Sequence, residues 1–192
     1  MRVQSAKALV KDIKGLLAVN PAADYIAVGD FNSNYNESAV MEPSHNNTGG
    51  ITGINQVLNA QGDEMKCAAD RSGSVHYDLH FELKREARRS AYHNGFGWSS
   101  LDHMIIGGNL YDSRGITYVD NSFQIVRQDM PRTKMLFTRD GRTNRWQEKR
   151  RGSYTEHFVG GYSDHLPLMA RFQVRDTQTA DRIRMYRPGT PD

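Results

Sequence analysis

Apolar residues recur at helical spacing at the start of the chain: Val3, Ala6, Leu9/Val10, Ile13 and Leu16/Leu17, with Lys and Gln between them. The pattern predicts an amphipathic helix. Asn20-Pro21 ends it, because the residue before a proline is pushed away from the α region. The run DYIAVG at 24–29 is short, mostly apolar and bounded by turn signals, which predicts a buried strand. It stops at Gly29-Asp30-Phe31-Asn32. The opening therefore reads helix, loop, strand, then a polar loop at the strand's C-terminal end. Layered α/β folds often place chemistry there.

The rest of the pattern is less regular. Residues 33–50 and 61–75 read as loops, and ITGINQVLNA at 51–60 as a short helix. Between 76 and 91 the charges of Glu82, Lys84, Arg85, Glu86, Arg88 and Arg89 alternate, the mark of a solvated helix or loop face. Leu101 to Ile106 predicts a second buried strand, stopped by Gly107-Gly108. Residues 116–126 are β-like, 131–153 form a polar basic loop, and Leu166 to Val174 predicts a last strand. There is no internal repeat, low-complexity tract or domain boundary. The expected organisation is one domain over 1–175 and a polar, frayed tail over 176–192, which carries Pro188 and Pro191.

Composition narrows the class. Lys+Arg number 25 and Asp+Glu 22, so the formal charge is 25 − 22 = +3, too weak by itself to name a nucleic-acid binder. A hydrophobic content of 38% is ordinary for a globular chain and excludes disordered, collagenous and fibrous classes. No apolar run approaches the roughly 18 residues of a membrane-spanning helix. The single cysteine, Cys67, excludes an intrachain disulfide. Charges interrupt the apolar positions of 1–20, so no signal peptide is visible and the compartment stays open.

The candidate chemistry lies at three strand ends: Gly29-Asp30-Phe31-Asn32, Ser100-Leu101-Asp102-His103-Met104-Ile105-Ile106, and Gly161-Tyr162-Ser163-Asp164-His165-Leu166-Pro167-Leu168. Each joins an apolar run to an Asp with an Asn or His close by. Taken alone, Gly-Asp-x-Asn is a common turn and Leu-Asp-His a strand end with a surface His. Taken together they suit hydrolysis of a phosphate ester. A carboxylate can hold a hard cation such as Mg²⁺, and the cation neutralises phosphate oxygens. A second carboxylate or a His aligns and deprotonates water. Asn can bond to phosphate without adding charge. A carboxylate beside a His fixes its tautomer.

These motifs, in this order, resemble the C-terminal half of the endonuclease/exonuclease/phosphatase superfamily. Residues 1–32 and 89–174 carry the resemblance. It implies an α+β fold: a partial two-sheet β-sandwich flanked by helices, in the four-layer deoxyribonuclease-like architecture. It implies metal-dependent phosphoester hydrolysis, most nearly that of a nuclease-like phosphodiesterase. Phosphomonoesterase and phospholipid phosphodiesterase are alternatives within the enzyme class, as is a truncated, non-catalytic remnant outside it. The implied roles run as follows. Asp30 aligns or deprotonates water or protonates the leaving oxygen, and Asn32 orients phosphate and Asp30. Asp102 pairs with the catalytic His, His165 is that His, and Asp164 is a ligand of Mg²⁺ (or Mn²⁺ or Ca²⁺). His103 is expected to be structural. Members are often exported.

The superfamily pattern begins earlier than this chain, with an Asn, a metal-binding Glu and often a His or Tyr ahead of the Gly-Asp-Phe-Asn strand. Glu37, Glu42 and Glu64 follow that motif, in the wrong topological place to substitute. The expectation is a chain lacking much of the N-terminal half, with an apolar sheet face left open and weak or no activity.

For the substrate, RDGRTNRWQEKRR at 139–151 joins basic residues to Trp146, and Lys84, Arg85, Arg88 and Arg89 form a weaker cluster. Such clusters suit DNA or RNA, or simply a solvated surface. His76 and His80 stand four apart, metal-ligand spacing on a helix, with no third ligand evident. Trp98, Tyr118 and Phe123 are expected to pack rather than bind. The oligomeric state is open.

Overall fold

The computed structural model describes residues 2–37, 41–42, 51, 53–84, 91–93, 97–139, 141–144, 147–149, 156–158 and 161–174. The expected tail lies outside these residues, as do Arg85, Arg88 and Arg89 of one basic cluster and Arg145, Trp146, Arg150 and Arg151 of the other. The elements in chain order begin with α1 (Arg2–Val19), β1 (Ile26–Asp30), α2 (Ile54–Val57) and α3 (Glu64–Ala69). Then come β2 (His76–Asp78), a 3-10 turn (Leu79–Glu82), β3 (Tyr92–His93), β4 (Trp98–Ser99) and β5 (Asp102–Gly107). A second 3-10 turn (Gly108–Tyr111) leads to β6 (Ile116–Tyr118), β7 (Gln124–Ile125) and a third 3-10 turn (Lys134–Leu136). The chain closes with β8 (Gln147–Lys149), β9 (Glu156–Phe158), β10 (Leu168–Met169) and β11 (Phe172–Val174). This is an α+β fold built on small antiparallel sheets.

The central sheet has the order β1-β5-β2, and both pairings are antiparallel. Side chains alternate across a strand, so β5 serves two cores. Ile106 joins a cluster with Tyr77, Leu79, Leu110, Tyr118, Phe123, Ile125 and Leu166. Its neighbour Ile105 faces the other way, into Ala6 of α1 and Ile54, Leu58 and Ala60 around α2. The helix expected at the N-terminus forms as read, burying Ala6, Ile13 and Leu17.

Several expectations change. The strand at 24–29 is not buried. It forms β1 at the edge of the sheet, with Val28 62% and Ile26 39% exposed on the face that also carries Asp30. Only Ala27, on the opposite face, packs into a core cluster. The apolar run signalled a strand but not which faces would be covered. The helix expected at 51–60 is cut to Ile54–Val57. Within the expected loop 61–75, α3 forms because Asp63 caps it, its carboxylate accepting from the Lys66 amide at 3.0 Å. The β-like stretch 116–126 is two strands parted by a turn at Asn121 (φ 56°). The expected last strand is likewise two: β10 pairs with β7 and β11 with β6.

Candidate active site

The register of β1 on β5 sets Asp30 opposite Asp102 and Gly29 opposite His103. Like charges directly opposite on paired strands are destabilising, so each carboxylate needs donors. Asp30 Oδ1 accepts from the Asn32 amide at 2.8 Å, closing a tight turn in which Asn32 takes φ 54°. Gly29 has φ +148°, a conformation L-residues rarely adopt, although a Cβ there would have open space. Glycine is demanded here by the backbone rather than by crowding.

Asp102 is satisfied from the third motif. His165 donates from Nδ1 to Asp102 Oδ2 at 2.7 Å. Both groups are partly shielded, with side chains 27% and 16% exposed. That bond fixes the His165 tautomer and leaves Nε2 as the free nitrogen, 4.0 Å from Asp164 Oδ1. The third motif reaches the second through β3 and β4. Tyr92 bridges to His165, Leu166 N donates to Ala91 O at 2.8 Å, and Tyr92 pairs with Ser99 just ahead of β5. The Tyr92 ring lies 4.6 Å from that of His165. The structure thus brings Asp102, His165 and Asp164 together at one strand end, with Asp30 and Asn32 on the neighbouring strand end.

The loop after Asn32 is strapped to the same end of β5. Phe31 N donates to Leu101 O at 2.8 Å, Ser100 N donates to Asn34 Oδ1 at 3.0 Å, and Tyr35 N donates to Ser100 Oγ at 3.3 Å. Arg2 of α1 donates to the Asn32 carbonyl and pairs with Glu37 at 3.4 Å. Glu37 also accepts from the Asn34 amide at 2.7 Å, so this carboxylate braces the loop. Arg2, Asn34 and Glu37 stand in no motif, and what Ser100 and Tyr92 hold becomes legible only once the strands are paired.

His76 and His80 do not share a helix face: one lies on β2 and the other in the 3-10 turn. His76 Nδ1 donates to Leu58 O at 2.6 Å. His80 belongs to a buried group that the sequence reading missed, with Asp78 and His103. A second group with three potential ligand atoms within 4.8 Å is Glu64, Glu82 and Asp120. There Tyr118 donates to Glu82 at 2.6 Å and Tyr111 to Glu64 at 2.9 Å. Burial above all, with the Asp120 and Glu64 charges, pushes the Glu82 carboxyl up to about 7 against the Tyr118 hydrogen bond.

Tyr118 and Phe123 are buried as expected, but Trp98 is 37% exposed. The Arg127 guanidinium lies 5.7 Å from its ring centroid. Both residues line an open depression with Gln128, Asp129, Phe137 and Gly141.

A model of the Endonuclease/Exonuclease/phosphatase family matches residues 1–174. The chain belongs to this family. Its general chemistry, metal-dependent hydrolysis of phosphoesters, accords with the residues gathered at the β1–β5 end. No curated protein and no solved structure matched the chain. Among the described residues, no helix is long and apolar enough to cross a membrane.

Proposed function

We propose that this family member hydrolyses phosphodiesters as a metal-dependent, nuclease-like enzyme. One observation carries the reading: His165 is held at 2.7 Å by Asp102, whose β5 position is paired with that of Asp30. Structure alone has little use for two carboxylates opposed across strands, whereas phosphoryl chemistry needs them.

In this reading Asp102 fixes the His165 ring so that Nε2 faces the scissile phosphate. Asp30 aligns and deprotonates the attacking water or protonates the leaving oxygen. Asn32 orients the phosphate and Asp30. Hydrolysis adds the water oxygen to phosphorus, breaks one P–O bond and delivers a proton to the departing oxygen. Asp164 would hold the divalent cation. Its carboxylate is a hard oxygen donor, 33% exposed beside His165, which suits an ion that takes one or two carboxylates and keeps several waters. When bound, Mg²⁺ would neutralise charge on the phosphate oxygens. Arg127 over the exposed Trp98 supports an anionic substrate that carries flat bases, as DNA or RNA does. We read the β1-β5-β2 sheet as belonging to one layer of the family's four-layer sandwich.

The test is cleavage of plasmid DNA and of a generic phosphodiester with Mg²⁺, with and without EDTA, for wild type and His165→Ala. The expected result is cleavage abolished by EDTA and reduced by about 10²–10⁴-fold in the variant. A folded wild type that cleaves neither substrate would overturn the reading and leave a non-catalytic remnant.

A further inference from the structure

We propose that His103 is a positioning residue of this site: a buried imidazolium, held by Asp78, that clamps the loop carrying Asp30 and Asn32 onto β5. The kinetic consequence rests on the phosphodiesterase reading, whereas the clamp itself does not.

His103 has acceptors on both ring nitrogens. Nδ1 lies 2.6 Å from Asp78 Oδ2, and Nε2 lies 2.6 Å from the Ser33 carbonyl. A carbonyl oxygen and an ionised carboxylate can only accept, so both ring nitrogens must carry protons. A ring with two N–H groups is the cation. Burial is the largest single influence and opposes the charge, but the Asp78 charge, the hydrogen bonds to Asp78 and the Ser33 carbonyl, and the Asp102 charge together outweigh it, so His103 binds its proton more tightly than an ordinary His. Among the described residues the other titratable group facing the ring is His80, with centroids 5.0 Å apart, while Asp102, on the opposite face of β5, acts on the ring through its charge.

The group has the form of a hydrogen-bonded clamp and not of a metal centre. Asp78 Oδ1 accepts from His80 N at 3.1 Å and His80 Nδ1 at 2.9 Å. Asp78 Oδ2 accepts from Asn55 Nδ2 at 2.8 Å and His103 Nδ1 at 2.6 Å. Those bonds use the roughly four lone-pair sites that a carboxylate offers. Asp78, His80 and His103 are all 0% exposed. A buried ion pair is a weak source of stability, because desolving both charges costs about what their attraction returns. Its placement suggests another use. Asn55 Nδ2, on the same carboxylate, also donates to Tyr35 O at 3.0 Å. One anion therefore orients two side chains that grip the carbonyls of Ser33 and Tyr35, directly after Asn32. Because side chains alternate along β5, Asp102 faces the site while His103 faces the loop beneath it. The clamp thus sets Asp30 and Asn32 relative to Asp102 and His165.

Two measurements test this. The first is ¹⁵N NMR of the wild-type imidazoles at pH 7.5, where both His103 nitrogens are expected to be protonated; a neutral His103 ring would overturn the clamp. The second compares His103→Leu with His103→Gln, whose amide can still donate to Ser33 O. The Leu variant should lose about 10- to 100-fold in kcat with KM little changed, and Gln should restore part of it. Amide exchange over 31–37 should accelerate in the Leu variant and not elsewhere. A folded Leu variant with wild-type kcat and wild-type exchange would overturn the proposal. If the Leu variant does not fold, the wild-type spectrum decides. If the wild type hydrolyses nothing, the phosphodiesterase reading fails while the spectrum and the exchange data still judge the clamp.

Discussion

Asp30 and Asp102 occupy paired positions on β1 and β5, and among the described residues Asp30 accepts from Asn32 N and Asp102 from His165 Nδ1. Removing one charge should relieve repulsion while damaging the site. Asp102→Asn is therefore expected to keep or raise Tm while lowering kcat by about 10²–10⁴-fold, because an amide no longer enforces the His165 tautomer. A variant with wild-type kcat would remove Asp102 from the site. Glu82 gives a separate, pH-dependent prediction. Its folded pKa is raised from 4.5 to about 7, so the fold favours the protonated form. That contribution is complete below pH 4.5 and is lost as pH rises through about 7. In metal-free buffer the wild-type Tm should fall across this window relative to Glu82→Gln, and parallel Tm curves would refute the assignment. The chemistry-bearing residues were readable because Asp, Asn and His sit in short motifs. Their braces were not: Arg2, Ser33 and Asn34 carry no local mark, and only pairing across the sheet reveals what they hold.

At the scale of elements, local cues worked where one face of a long segment is buried. In α1, Ala6, Ile13 and Leu17 point inward, as the helical spacing required. The cues failed where elements are short. The helix α3 depends on a single Asp63 cap, and the split of the last strand depends on β6 and β7 taking different partners. Gly29 is the most exacting backbone position beside the site. With φ +148° it should resist any side chain, and Gly29→Ala is expected to cost about 1–3 kcal/mol in urea unfolding and to lower activity by displacing Asp30. Full stability in that variant would show that the turn tolerates an ordinary backbone. Gly107-Gly108 signalled a strand stop, but the close approach there is tertiary: a Cβ on Gly108 would lie 2.0 Å from the Asp70 carbonyl.

Across the whole molecule, β5 divides two cores, and neighbouring residues on it report on different halves. Ile105→Ala and Ile106→Ala should each cost about 2–5 kcal/mol, whereas Val28→Ala on the exposed edge should stay within about 0.5 kcal/mol. Denaturant melts of the three variants check this, and a large loss in Val28→Ala would mean that β1 is covered in solution. The sequence by itself determined the chemistry on offer: an Asp-x-Asn turn, an Asp at a strand start, a Ser-Asp-His segment and the helix that precedes them. It did so because motif spacing and hydrophobic period are local properties of the chain. Only the tertiary structure decided that Asp30 stands opposite Asp102 and that β1 is an edge. The same holds for the placement of Asp78, His80, His103 and Asn55 beneath the loop. Those facts depend on strand register and on burial, which arise from contacts between residues far apart in the chain, and no local pattern encodes them.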